Sequence, residues 1–188
     1  MKHIANLGIT TKEGFSVKQL ERFPSMEWGD EGGMRADLYY KNIRICQVFQ
    51  EGNGGEAIAY MDAKLNEKLL KEVQKAALAC LKRLEPNSYG PQGYDWLKNK
   101  TPSKIDDGDY EAVVNNIEQY YDDLKQAKKI FKKGYTAVAV IDNYFKVSYL
   151  YCDFKTIEET KAYLTEKHPN LKYDSLRLIV NSPNLSTL

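Results

Sequence analysis

The chain has 188 residues, 43% hydrophobic and 28% charged, a globular composition long enough to bury a substantial core and unlike that of a disordered segment. Lysine plus arginine number 27 against 26 aspartates plus glutamates, a net charge of +1. That balance excludes a wholesale polyanion binder and an acidic mimic of DNA, so any contact with nucleic acid must come from a local patch.

The N-terminal stretch around Lys2 and His3 lacks the apolar core of a secretory signal. No run approaches the roughly 18 apolar residues of a membrane span. A cytoplasmic protein is therefore expected. The three cysteines, Cys46, Cys80 and Cys152, are scattered and each sits in an apolar run, the pattern of buried thiols in a reducing compartment.

Residues 3–10 read as a short strand. Ser16 and Gln19 have the spacing of a capping box and predict a short helix, ended by Pro24. A polar stretch with Trp28, Asp30 and Glu31 leads to Gly32 and Gly33. Two strands follow, Met34 to Tyr40 and Ile43 to Gln50, joined at Lys41 and Asn42, where asparagine tolerates positive φ. Strict alternation puts Ile43, Ile45, Gln47 and Phe49 on one face of the second strand. Arg44, Cys46, Val48 and Gln50 fall on the other, so both faces are partly apolar, as in an inner strand.

The chain breaks at Gly52, Asn53, Gly54 and Gly55, and a third strand spans Ala57 to Met61. A long amphipathic helix is predicted from an N-cap at Asp62 to Leu84, with Leu65, Leu69, Val73, Ala76, Cys80 and Leu84 on its core stripe. Residues 85–108 form the longest irregular stretch, rich in proline, glycine and aromatics. A second long helix is expected from about Asp109 to Lys133, with Val113, Ile117, Tyr120, Leu124, Ala127 and Phe131 facing inward. Its acidic start and its lysine-rich end before Gly134 both suit the helix dipole.

Tyr135 to Ile141 and Tyr144 to Cys152 predict a second hairpin, turning at Asp142 and Asn143. Thr156 and Glu159 form a second capping box, opening a helix to about Lys167, and Leu176 to Val180 closes as a strand. The expected fold class is α+β: antiparallel sheets built from two hairpin–helix units, with two long amphipathic helices packed on one face. One domain over 1–188 is expected, with sub-units 1–84 and 109–188 joined by the aromatic loop 85–108.

No common active site is evident. The two histidines, His3 and His168, belong to no recognisable spacing, and no Cys/His set has the spacing of a zinc site. The glycine clusters match neither a phosphate loop nor a dinucleotide fingerprint. No metal, cofactor or catalytic residue is predicted. One nuclease reading remains, in which Asp142 at a hairpin tip and Asp153-Phe154-Lys155 form an Asp…Asp-x-Lys arrangement that holds Mg²⁺ through the carboxylates and orients a water.

The surplus is aromatic: 14 tyrosines, and a loop in which Tyr89, Tyr94 and Trp96 mix with Lys98, Lys100 and Lys104. Such a mixture suits a binding surface. Partner contacts are assigned to these six residues and to Trp28, Asp30, Glu31 and Asn53 at the glycine-rich hairpin edges. The lysines between Lys125 and Lys133 are a lesser candidate for phosphate.

The segment from Leu38 to Glu56, a hairpin followed by an acidic Gly-Asn-Gly-Gly-Glu turn, resembles one in small phage and mobile-element proteins of low-GC Gram-positive bacteria. These include anti-defence proteins, among them anti-CRISPR inhibitors of Cas9. The resemblance implies a non-enzymatic inhibitor that binds a host nuclease, such as Cas9 with its guide RNA. It carries over no catalytic residue. A nucleic-acid-binding accessory protein is the alternative.

Overall fold

The computed structural model describes residues 4–24, 32–52, 56–84, 97, 99–143, 146–172, 175–183 and 185. It is an α+β protein, with two antiparallel sheets and three α-helices among the described residues. Contacts divide it into two compact units, one of Met1–Leu84, Asp95–Tyr120 and Ser186–Leu188, the other of Glu85–Tyr94 and Tyr121–Leu185. The division falls inside a helix.

The first unit holds a five-stranded sheet in sequential order: β1 (Ile4–Ala5), β2 (Phe15–Phe23), β3 (Gly33–Tyr40), β4 (Ile43–Gln50) and β5 (Ile58–Met61). The segment expected as a capped helix is β2. Phe15 and Val17 alternate with Ser16 and Lys18, and this two-residue period buries the apolar pair completely, which outweighs the local capping signal. Gln19, at φ +52°, is the extra residue of a bulge between the pairs Lys18↔Asp37 and Glu21↔Arg35. The bulge reverses the alternation, so Leu20 joins Phe15 and Val17 in the core.

β3 and β4 meet at Lys41 (φ +47°) and Asn42 (φ +66°), two left-handed residues that make the tight turn predicted for this hairpin. A second bulge lies in β4. Leu38 pairs with Cys46 but Tyr39 pairs with Arg44, which leaves Ile45 as the extra residue. Ile45 and Cys46 are consequently both buried, and Arg44 turns to the face of Gln47 and Phe49.

Helix α1 (Glu67–Leu84) starts later than expected. Asn66 caps it by accepting a hydrogen bond from the Leu69 amide at 2.8 Å, whereas Asp62 closes a separate turn by accepting from the Lys64 amide. Val73, Ala77, Cys80 and Leu81 make the buried stripe. The helix is tied to the sheet near its start and to the turn before β2 near its end. The Tyr40 hydroxyl and the Lys41 ammonium donate to Glu72 at 3.1 and 2.7 Å, and Arg83 grips Glu13 through two bonds of 2.8 and 2.7 Å.

After a 3-10 turn at Pro102–Lys104 comes helix α2 (Asp107–Phe131). Asp106 and Asp109 cap its start reciprocally: each side chain accepts from the other's amide, at 3.1 and 2.8 Å. In the first unit α2 buries Val113, Val114 and Ile117, and Arg22 of β2 reaches Asn115 at 3.0 Å and Glu118. Met34, Ala36, Leu38, Cys46 and Val48, all fully buried, face this helical side of the sheet. Each such side chain contributes about 1.5–3 kcal/mol of burial when large.

The second unit is a three-stranded sheet in the order β7 (Lys146–Cys152), β6 (Ala137–Asn143), β8 (Ser175–Val180). Asp142 and Asn143, expected as the turn, instead belong to β6, paired with Val147 and Lys146. Helix α3 (Ile157–Lys167) has the expected capping box: Thr156 Oγ1 accepts from the Glu159 amide at 3.1 Å. Leu164 of α3 packs on the face formed by Ala137, Ala139, Ile141, Cys152 and Leu176. The opposite face meets the second half of α2, where buried Asp123 takes Arg177 at 2.8 Å and accepts from the Tyr149 hydroxyl at 3.2 Å. Helices thus cover both faces of this sheet, not one.

No helix among the described residues is long and apolar enough to cross a membrane.

Candidate functional site

The two bulges decide what the first sheet shows on the side away from α1 and α2. Pairing across the strands places Lys18, Glu21 and Phe23 of β2 there, with Arg35, Asp37 and Tyr39 of β3. Arg44, Gln47 and Phe49 of β4 share that face, as do Ile58 and Tyr60 of β5. No described element of this unit covers it.

Charge on this face is organised in short chains. Arg35 holds Glu21 at 2.7 Å, and Arg44 holds Asp37 at 2.9 Å while reaching Asp62 at 3.6 Å. Gln47 donates to the same Asp37 oxygen at 3.1 Å. The carboxylates lie low, Glu21 at 2% and Asp37 at 5% exposure, and the cations lie over them, 48% of the Arg35 side chain being exposed. A solvent-side sheet therefore presents guanidinium groups outward while keeping its acids beneath them.

Aromatic rings complete the surface. Lys18 Nζ sits 4.2 Å from the Tyr39 ring centroid, and Phe23 and Phe49 stack at 5.8 Å. On the edge strand Ile58 and Tyr60 are 45% and 56% exposed, large apolar groups that an isolated edge would ordinarily shed. Rigid aromatics among arginines are the groups that dominate protein interfaces. The nearest thiol, Cys46, is on the opposite face, where burial pushes it up to about 12. Burial does the same to Cys80 and also raises Cys152, so none of the three is an activated nucleophile.

Most residues assigned from sequence fall outside the described residues: Trp28, Asp30, Glu31, Asn53, Tyr89, Tyr94, Trp96 and Lys98. Lys100 and Lys104 are described and differ. Lys100 is nearly buried, its ammonium held by Asp106 at 3.0 Å and Asp109 at 2.5 Å, so it clamps the capping box of α2. Burial works against its charge, but the bonds to the two aspartates outweigh that and hold its pKa above the usual value. Lys104 is exposed at the end of the 3-10 turn. Leu97 is buried and anchors this segment.

The Mg²⁺ arrangement does not assemble. The register sets Asp142 opposite Val147, and Ala137 opposite Cys152, the residue before Asp153. At about 3.3 Å per residue the two carboxylates stand at opposite ends of the hairpin, some 15–20 Å apart. Asp153 instead accepts from the Thr136 hydroxyl at 2.9 Å. Among the described residues no group of three or more His, Cys, Asp or Glu is placed to hold a metal ion.

Sequence reasoning passed over Lys18, Arg35, Tyr39, Arg44 and Tyr60. The usable signal was the polar alternation Arg35, Asp37, Tyr39 within an otherwise apolar strand. The chain matches no protein-family model, and no curated protein or solved structure is significantly similar to it.

Proposed function

We propose that the protein is a non-enzymatic binding protein of phage or mobile-element origin. In this reading it works in the bacterial cytoplasm, docking on a host defence nuclease such as CRISPR Cas9, or on its guide RNA–DNA complex. The uncovered face of the first sheet is the docking surface, and the two hairpin–helix units with their long amphipathic helices are its rigid scaffold.

One observation carries the reading. The segment that bears the resemblance to anti-defence proteins, from Leu38 onward, forms the β3–β4 hairpin, and this hairpin contributes Tyr39, Arg44, Gln47 and Phe49 to the uncovered face. A catalytic alternative through Asp142 and Asp153 has the register against it. A nucleic-acid-binding accessory role through Lys98, Lys100 and Lys104 loses one of its lysines to the Asp106–Asp109 clamp.

The test is affinity capture of Cas9 with and without guide RNA, followed by a DNA cleavage assay. Binding with inhibition is expected, weakened about 30-fold by Tyr60→Ala together with Arg35→Glu, the loss typical of an interface hot spot. No binding and unaffected cleavage would remove this target.

A further inference from the structure

The second unit carries a basic and aromatic surface that the sheet-face reading leaves unused. Residues 121–133 contain five lysines and two aspartates. Asp123 is fully buried against Arg177, and Asp122 is occupied by Lys125 at 3.1 Å. The end of α2 and the turn after it therefore present Lys128, Lys129, Lys132 and Lys133 outward, with Lys125 exposed beside its partner Asp122. Lys125 and Lys132 stand about 10 Å apart along the helix axis, at about 1.5 Å per residue.

Dipole compensation explains only part of this cluster. That effect falls off within the last turn, yet Lys125 lies well before it. The tyrosines are a second, separate observation. Lys125 Nζ sits 4.1 Å from the centroid of the Tyr121 ring, and Lys133 Nζ sits 5.8 Å from that of Tyr151. Tyr151 in turn lies 5.4 Å from Tyr135, the rings tilted at 50°. Both remain open, at 45% and 38% exposure, and Tyr151 is on β7, an edge strand.

We infer that this surface binds a single strand of nucleic acid. The lysines neutralise successive phosphates, and Tyr135 and Tyr151 offer ring faces on which unpaired bases stack. A duplex keeps its bases stacked inside and gains nothing from the tyrosines. An acidic protein segment matches the charge but leaves the paired rings without a purpose. This site lies in the unit that does not hold the sheet face, and it stands whether or not the protein docks on a nuclease.

The experiment is fluorescence anisotropy of the full chain with labelled oligothymidylate, oligouridylate and a DNA duplex of equal length, over a salt series. Single strands are expected to bind more tightly than duplex, with log affinity falling by about 0.7 per phosphate contact for each decade of salt. Replacing Lys128, Lys129 and Lys132 by Gln should flatten that slope by about 2. Tyr151→Val and Tyr135→Ser should each weaken single-strand binding about 10-fold, with Tyr→Phe at either position close to the parent.

Lys161→Gln with Lys167→Gln on α3 is the charge control and should change little. Circular dichroism confirms that each variant is folded. The inference is overturned by no saturable binding at low salt, by equal affinity for duplex, or by tyrosine variants that bind like the parent. Polyglutamate competing as well as oligothymidylate points to an acidic protein segment and overturns it too.

Discussion

Asp37 in the first unit and Asp123 in the second are both nearly inaccessible aspartates that meet an arginine from a β-strand, and their surroundings differ. Asp37 lies on the sheet face that no described element of its unit covers, shared by Arg44 and Gln47, with the Arg44 side chain 36% exposed. Asp123 lies between a helix and a sheet, with the Tyr149 hydroxyl as its second partner. Burial together with the neighbouring carboxylate pushes that phenol up to about 12. The first pair belongs to a surface where charge is displayed. The second holds α2 onto its strands, where a lone charge would be costly. The same residue types therefore serve display in one unit and cohesion in the other.

Breaking the cohesive pair should have the largest effect. Asp123→Ala strands Arg177 and the Tyr149 hydroxyl, and a loss of about 3 kcal/mol is expected in urea unfolding, at the low end for a buried pair because Arg177 keeps some water. Pairing it with Arg177→Met should recover much of the loss. If Asp123→Ala cost no more than a surface substitution, the contrast with Asp37 would fail. Asp37→Ala should cost about 1.5 kcal/mol, since Arg44 retains Asp62 and solvent. A cost above that of Asp123→Ala would reverse the ranking.

Next is Thr156→Ala, which removes the cap of α3 and should cost about 1 kcal/mol, read from the same unfolding curves. The smallest effect concerns pH. Burial works to raise the Glu13 carboxyl, but its bonds to Arg83 outweigh burial and hold it below the usual value near 4.5. Its folded pKa is depressed, so its stabilisation is present above pH 4.5 and fades as pH falls through the lower folded value. Glu13→Gln should therefore lower stability at neutral pH and flatten the acid limb of stability against pH.

A hairpin turn and a helix start are legible because their signals are local and mutually consistent. Lys41 and Asn42 form a two-residue turn between alternating strands, and Thr156 with Glu159 precedes a helical period. Ser16 and Gln19 carry the same kind of capping signal yet lie in a strand, because a two-residue apolar period runs through them and the sheet claims it. The start of α1 slipped from Asp62 to Asn66 for a related reason: an aspartate that closes a turn looks like one that caps a helix.

The candidate face was not legible by counting alternate residues. Single extra residues at Gln19 and Ile45 reverse the count, so Arg44, expected beside Cys46 and Val48, sits with Gln47 and Phe49. Which side of the sheet stays open depends on where the helices lie, and no local pattern encodes that. Of the assigned binding residues, the clamp on Lys100 was hidden for another reason. The acids that hold it suit the helix dipole as a sequence pattern, while in the structure Asp106 and Asp109 also cap α2 and pair with that lysine.

The three sealed thiols also make the molecule its own recorder of opening. A buried thiol whose pKa burial raises reacts with an alkylating reagent at neutral pH only when its surroundings part, so each modification marks an opening event. Cys46 and Cys80 belong to one unit and Cys152 to the other. Mass spectrometry of the labelled peptides over time would separate the breathing of the two units within one chain, without any introduced probe.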